Sequence, residues 1–180
     1  MDYLAVLKDL ITNYEKFCHV AMGLAWIKIE AEYNDWFKVY PMGINIGIFG
    51  FPEGYVQKNF ANAYVRAVLS GIAFYEEWDR DFFDIPQSGR KKCLDSGGKL
   101  YEEYAIPSEL RFIKRDWEYL AKEIRFFAGL NKIPLKEQEN IISKIQGAEV
   151  IETGGSYYAD YEYVAVKGDT VIMVCCGLWD

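Results

Sequence analysis

Leu4, Leu7, Leu10, Ile11, Tyr14, Phe17 and Cys18 recur at intervals of three and four, with Lys8, Asp9, Glu15 and Lys16 between them. That spacing puts the apolar side chains on one stripe and predicts an amphipathic helix over residues 2–20. From Ile27 the period changes. Ile27, Ile29, Ala31 and Tyr33 alternate with Lys28, Glu30 and Glu32, the pattern of a strand with one buried face. Asn34 and Asp35 favour a turn, and residues 36–40 read as a returning strand that Pro41 ends. The β-branched, glycine-punctuated run 43–50 is compatible with a short strand or a buried loop.

Helical periodicity returns with Phe60, Tyr64, Val65, Val68, Leu69 and Ile72, and Gly71 marks a break before the pattern resumes over 74–83. Residues 86–99, with Ser88-Gly89 and Ser96-Gly97-Gly98, read as an exposed, mobile loop. Ser108 is placed as an N-cap, with Glu109 at the positive end of a helix. Its stripe is Leu110, Ile113, Trp117, Leu120, Ala121, Ile124 and Phe127, ending at Gly129. A last helix opens at Pro134, buries Leu135, Ile141, Ile142 and Ile145, and closes at Gly147. Residues 157–166 and 170–176 then switch to period two, with Gly168 where a II′ hairpin needs positive φ. Val171, Met173 and Cys175 fall on one face of the last strand and Ile172, Val174 and Cys176 on the other, which predicts a central strand covered on both sides. The expected fold is one α+β domain over residues 1–180, four or five helices packed on a mostly antiparallel sheet with a C-terminal β-hairpin.

Thirty aromatic residues in 180 supply a sizeable core and exclude a disordered chain. Twenty basic against 27 acidic residues give a net charge of −7, which opposes binding to nucleic acid or to anionic membranes. The opening Met1-Asp2-Tyr3-Leu4 lacks the basic start of a secretory signal, and the uncharged run 39–52 is shorter than the roughly 20 residues a membrane helix needs. Cys18, Cys93, Cys175 and Cys176 lack the density of a disulfide scaffold and read as buried thiols. A cytoplasmic location follows as the expectation.

Several chemistries find no support. His19 is the single histidine and adjoins Cys18 on a helix, where neighbours diverge by about 100° and form no dyad. Gly155-Ser156-Tyr157 lacks the frame of a nucleophile elbow. No Cys-x-x-Cys or His-Glu-x-x-His spacing offers a zinc site, so no metal and no cofactor is expected. Ser96-Gly97-Gly98-Lys99 lacks the first Gly and the final Ser or Thr of a phosphate loop.

What stands out is acid beside aromatics. On a helix, residues 74–84 place Glu77, Arg80, Asp81 and Asp84 on one face and Phe74, Trp78 and Phe82 on another. Five carboxylates against one arginine leave this stretch at −4. It reads either as a solvated helix face or as a docking surface in which Trp78 anchors while Glu77, Asp81 and Asp84 steer a cationic partner. A third reading makes Glu76 or Glu77 with Asp81 a catalytic carboxylate pair, in a hydrolase acting on carbohydrate or another small substrate. Asp160, Tyr161 and Glu162 interleave phenols and acids in the same way, as a binding patch or as a packed sheet.

The run 161–174, Tyr-Glu-Tyr-Val-Ala-Val-Lys-Gly-Asp-Thr-Val-Ile-Met-Val, together with the size and acidity of the chain, resembles the small cytosolic immunity proteins that bacteria pair with secreted toxins. The resemblance implies a non-enzymatic inhibitor that covers the active site of a basic, nuclease-like toxin domain. The partner-binding residues on that reading are Glu77, Trp78, Asp81, Asp84, Asp160, Tyr161 and Glu162.

Overall fold

The computed structural model describes residues 1–35, 42–72, 110–156 and 159–178, together with Phe82, Pro86, residues 89–92 and Leu94. The first predicted helix is two. α1 (Tyr3–Thr12) and α2 (Tyr14–Gly23) are separated by Asn13, whose extended backbone breaks the run and whose side chain accepts from the Lys16 N–H. An N-cap asparagine in mid-pattern outweighs a continuous apolar stripe, because its amide offers the backbone an alternative to the helix ladder. His19 is exposed on α2 and Cys18 half-buried.

β1 (Glu30–Asp35) starts three residues later than the alternation suggests, while Ile27 and Ile29 pack in the approach to it. The β-branched, glycine-punctuated run 43–50 is a strand, β2 (Met42–Gly50). The returning strand expected at 36–40 lies outside the described residues. α3 (Tyr55–Ala67) continues into a π-helical turn (Val68–Ile72), and the helix expected over 74–83 also falls outside, apart from Phe82.

Two expectations are corrected here. Residues 89–92 and Leu94, within the predicted exposed loop, are helical, and Leu94 is buried. They are tied to α2 and its end: Tyr14 Oη donates to the Leu94 carbonyl and Arg90 Nη1 donates to the Leu24 carbonyl at 3.1 Å. The helix expected from Leu110 is first a strand, β3 (Leu110–Arg115), and then α4 (Trp117–Leu130). Leu110 and Ile113 satisfy the helical spacing, but the cap that operates is Asp116, whose carboxylate accepts from the Tyr119 N–H at 2.6 Å.

α5 (Leu135–Ile145) begins after Pro134 as expected and buries Ile141, Ile142 and Ile145, whereas Leu135 is 74% exposed on the first turn. β4 (Glu149–Ser156), β5 (Ala159–Lys167) and β6 (Thr170–Leu178) complete the chain. Gly168 takes φ 57° in the hairpin turn, a conformation open to glycine at no steric cost.

The strands form one antiparallel sheet in the order β1-β2-β6-β5-β4-β3. β6 is interior, as its two apolar faces require. Val171 and Met173 join Phe49, Val164 and Val166 under α1, α2 and α3, while Ile172, Val174 and Cys176 join Ile44, Ile46 and Ala165 under α4 and α5. The result is a three-layer α+β domain whose sheet is covered by helices on both faces. Among the described residues, no helix is long and apolar enough to cross a membrane.

Candidate functional site

Glu77, Trp78, Asp81 and Asp84 lie outside the described residues, as does the alternative pair of Glu76 or Glu77 with Asp81. Asp160, Tyr161 and Glu162 share β5, an interior strand. Tyr161 pairs with Cys176 across the ladder, and Glu162 pairs with Cys175 on one side and Gly154 on the other. Glu162 is half-buried; its backbone carbonyl accepts from Thr153 Oγ1 at 3.3 Å. Burial, and after it the Glu162 charge and Cys176, push the Cys175 thiol well above its ordinary range. Cys176 is raised by burial and then by Glu123. By surface area Cys176 is buried and Cys175 half-buried, and a raised thiol pKa disfavours the nucleophilic thiolate.

A second polar cluster, absent from the sequence reading, gathers at the β3-β4-β5 end of the sheet beneath α4. Glu152 of β4 is 1% exposed, and its charge is met by two arginines of β3. Arg115 donates from Nε at 2.7 Å and lies 2.6 Å away through Nη2, both on Glu152 Oε2; Arg111 reaches Oε1 at the longer distance of 3.5 Å. The bond to Glu152 raises Arg115 further above its ordinary range. The Arg115 guanidinium also lies 4.4 Å from the Tyr119 ring centre. A carboxylate sealed this way needs its cations, since an isolated charge in the interior carries a desolvation cost of several kcal/mol.

The backbone bends to make this contact. Arg111 and Phe112 together stand opposite the single Thr153, and Phe112 takes φ 52°. On the other side of β4, Glu152 pairs with Tyr163 and Gly154 with Glu162, leaving Thr153 as the extra residue, with Gly154 at φ 101°. Bulges of this kind re-aim side chains and increase local twist. A left-handed phenylalanine is strained by roughly 1–2 kcal/mol.

Across the ladder from Glu152, Tyr163 is 1% exposed and its hydroxyl has no hydrogen-bond partner among the described residues. Burial, then the Glu123 charge, raise the tyrosine above its ordinary range. Glu123 stands one helical turn from Tyr119 on α4; burial and then the charge of Glu152 raise its carboxyl above the usual range, with Arg115 opposing. Among the described residues no group of three or more His, Cys, Asp or Glu side chains is placed to hold a metal ion.

The arrangement clamps the edge strand β3 to β4 and α4 through charge. Its one signal in the sequence is Glu152 directly after Val150 and Ile151, a carboxylate that burial obliges to find a cation; which cation depends on how β3 pairs. Comparison with family models, with curated proteins and with solved structures finds no match to this chain.

Proposed function

We propose that this protein is a cytosolic, non-enzymatic binding protein of the immunity type, which neutralises a cationic, nuclease-like toxin domain through acidic and aromatic side chains. The observation that carries the reading is the uneven distribution of charge. Residues 1–72 hold six basic and seven acidic residues and residues 110–178 nine and ten, so the segments that build the sheet and its described helices are nearly balanced. Within them Glu152, Glu139, Glu32 and Asp9 are each paired with arginine or lysine. Residues 75–84, with five carboxylates and one arginine, carry more than half of the net charge of −7. Acid concentrated in one segment supplies a field that speeds encounter with a basic partner.

The test is to capture a partner with the full chain and identify it. The expected partner is a basic protein whose association rate falls by an order of magnitude or more between low and high salt. Replacing Glu77, Asp81 and Asp84 by lysine should abolish capture while leaving the folded signal intact. An acidic partner, or a salt-independent rate, overturns the proposal.

A further inference from the structure

The sheet ends in β1 on one side and β3 on the other, and among the described residues no strand pairs with the outer edge of either. Such an edge offers a row of N–H and C=O groups to an extended chain, and proteins blunt it against their own copies with bulges, charged side chains or prolines. β3 is blunted: it bulges at Arg111 and Phe112 and exposes Lys114. β1 has no such break. It runs in unbroken register along β2, from Glu30 opposite Gly50 to Asp35 opposite Asn45.

What β1 exposes is acid. Glu30, Ala31 and Glu32 are all exposed, and Glu30 and Glu32, two residues apart, share the face on which Lys144 of α5 pairs with Glu32. Glu30 has no ion pair among the described residues. Two copies joined edge to edge at β1 would set glutamate against glutamate, which disfavours pairing. A strand with lysine or arginine at alternate positions meets the opposite situation, a cation beside each carboxylate. Trp26, four residues before β1, is 65% exposed.

We propose that the outer edge of β1 is a strand-addition site for an extended basic segment of a protein partner, with Glu30 and Glu32 beside its alternate cations. The backbone ladder supplies affinity and the two carboxylates select charge. This rests on the cationic-partner reading but invokes none of residues 75–84.

The probe is a capped peptide alternating lysine and valine, with a glutamate-valine peptide as control, added to the full chain. Amide exchange should slow in residues 30–35 with the lysine peptide and stay unchanged with the control. E30K/E32K should weaken binding about tenfold, two lost cross-strand pairs' worth. E30Q/E32Q, which keeps side-chain size and adds no charge, should weaken it less but measurably, which separates charge loss from misfolding. Protection of residues other than 30–35, unchanged binding by E30K/E32K, or no binding at millimolar peptide overturns the β1 site. The cationic-partner reading fails by a different result, capture of the natural partner that is indifferent to salt and to the Glu77, Asp81 and Asp84 replacements.

Discussion

Asp169, in the turn of the C-terminal hairpin, accepts a hydrogen bond at 3.1 Å from the backbone N–H of Val56, in the first turn of α3. Its other oxygen accepts from Gly54 N–H at 2.7 Å, and its backbone carbonyl accepts from Phe51 N–H at 2.8 Å. α3 therefore borrows its cap from a residue more than a hundred positions away, since Gly54 at its own N-cap has no side chain to offer. Asp169→Ala should lower stability by about 1–2 kcal/mol, and Asp169→Asn, which keeps one acceptor, by less. Thermal unfolding reads both, with a fall of roughly 2–4 °C per kcal/mol expected for a chain of this size.

The Glu152 cluster makes an asymmetric prediction. Arg115→Ala strands a buried carboxylate and should cost about 3–5 kcal/mol. Glu152→Gln leaves the charges on arginines that are 29% and 54% exposed and can turn to water, so it should cost less. Arg111→Ala, at 3.5 Å and half-exposed, should cost under about 1 kcal/mol. Denaturant titration of the three variants should reproduce that order, and a larger loss for Arg111→Ala than for Arg115→Ala would contradict it.

Tyr163→Phe should leave stability unchanged or raise it by about 1 kcal/mol. The ring keeps its packing, including its tilted contact with Tyr119 at 6.3 Å, while the unpartnered hydroxyl and its burial cost are removed. A loss of 2 kcal/mol or more would show that the hydroxyl has a partner in the folded chain.

Glu123 should leave a signature in the pH dependence of stability. Its folded carboxyl lies above the ordinary 4.5, so between 4.5 and the raised value the folded state binds more protons than the unfolded one. The contribution of this group is thus fully present below 4.5 and is lost as pH rises through the folded value. Glu123→Gln should remove that slope and be relatively more stable at neutral pH. Unfolding free energies of both proteins from pH 4 to 8 provide the check; parallel curves would assign the slope elsewhere.

Periodicity alone determined a good deal: the C-terminal hairpin, the interior position of β6, α5 and the α+β class all follow from which residues must leave water, a property each side chain carries with it. Where two local signals competed, neighbours in space decided. Asn13 divides one apolar stripe into two helices, and Leu110 and Ile113 satisfy a helix yet are held as a strand by β4. The Glu152 cluster depended wholly on tertiary structure, because Arg111 and Arg115 meet a residue some forty positions later only through strand order and bulge. Composition likewise showed how much acid the chain holds, whereas the contrast between a regular acidic edge at β1 and a bulged one at β3 arose from pairing across the sheet, which no single strand encodes.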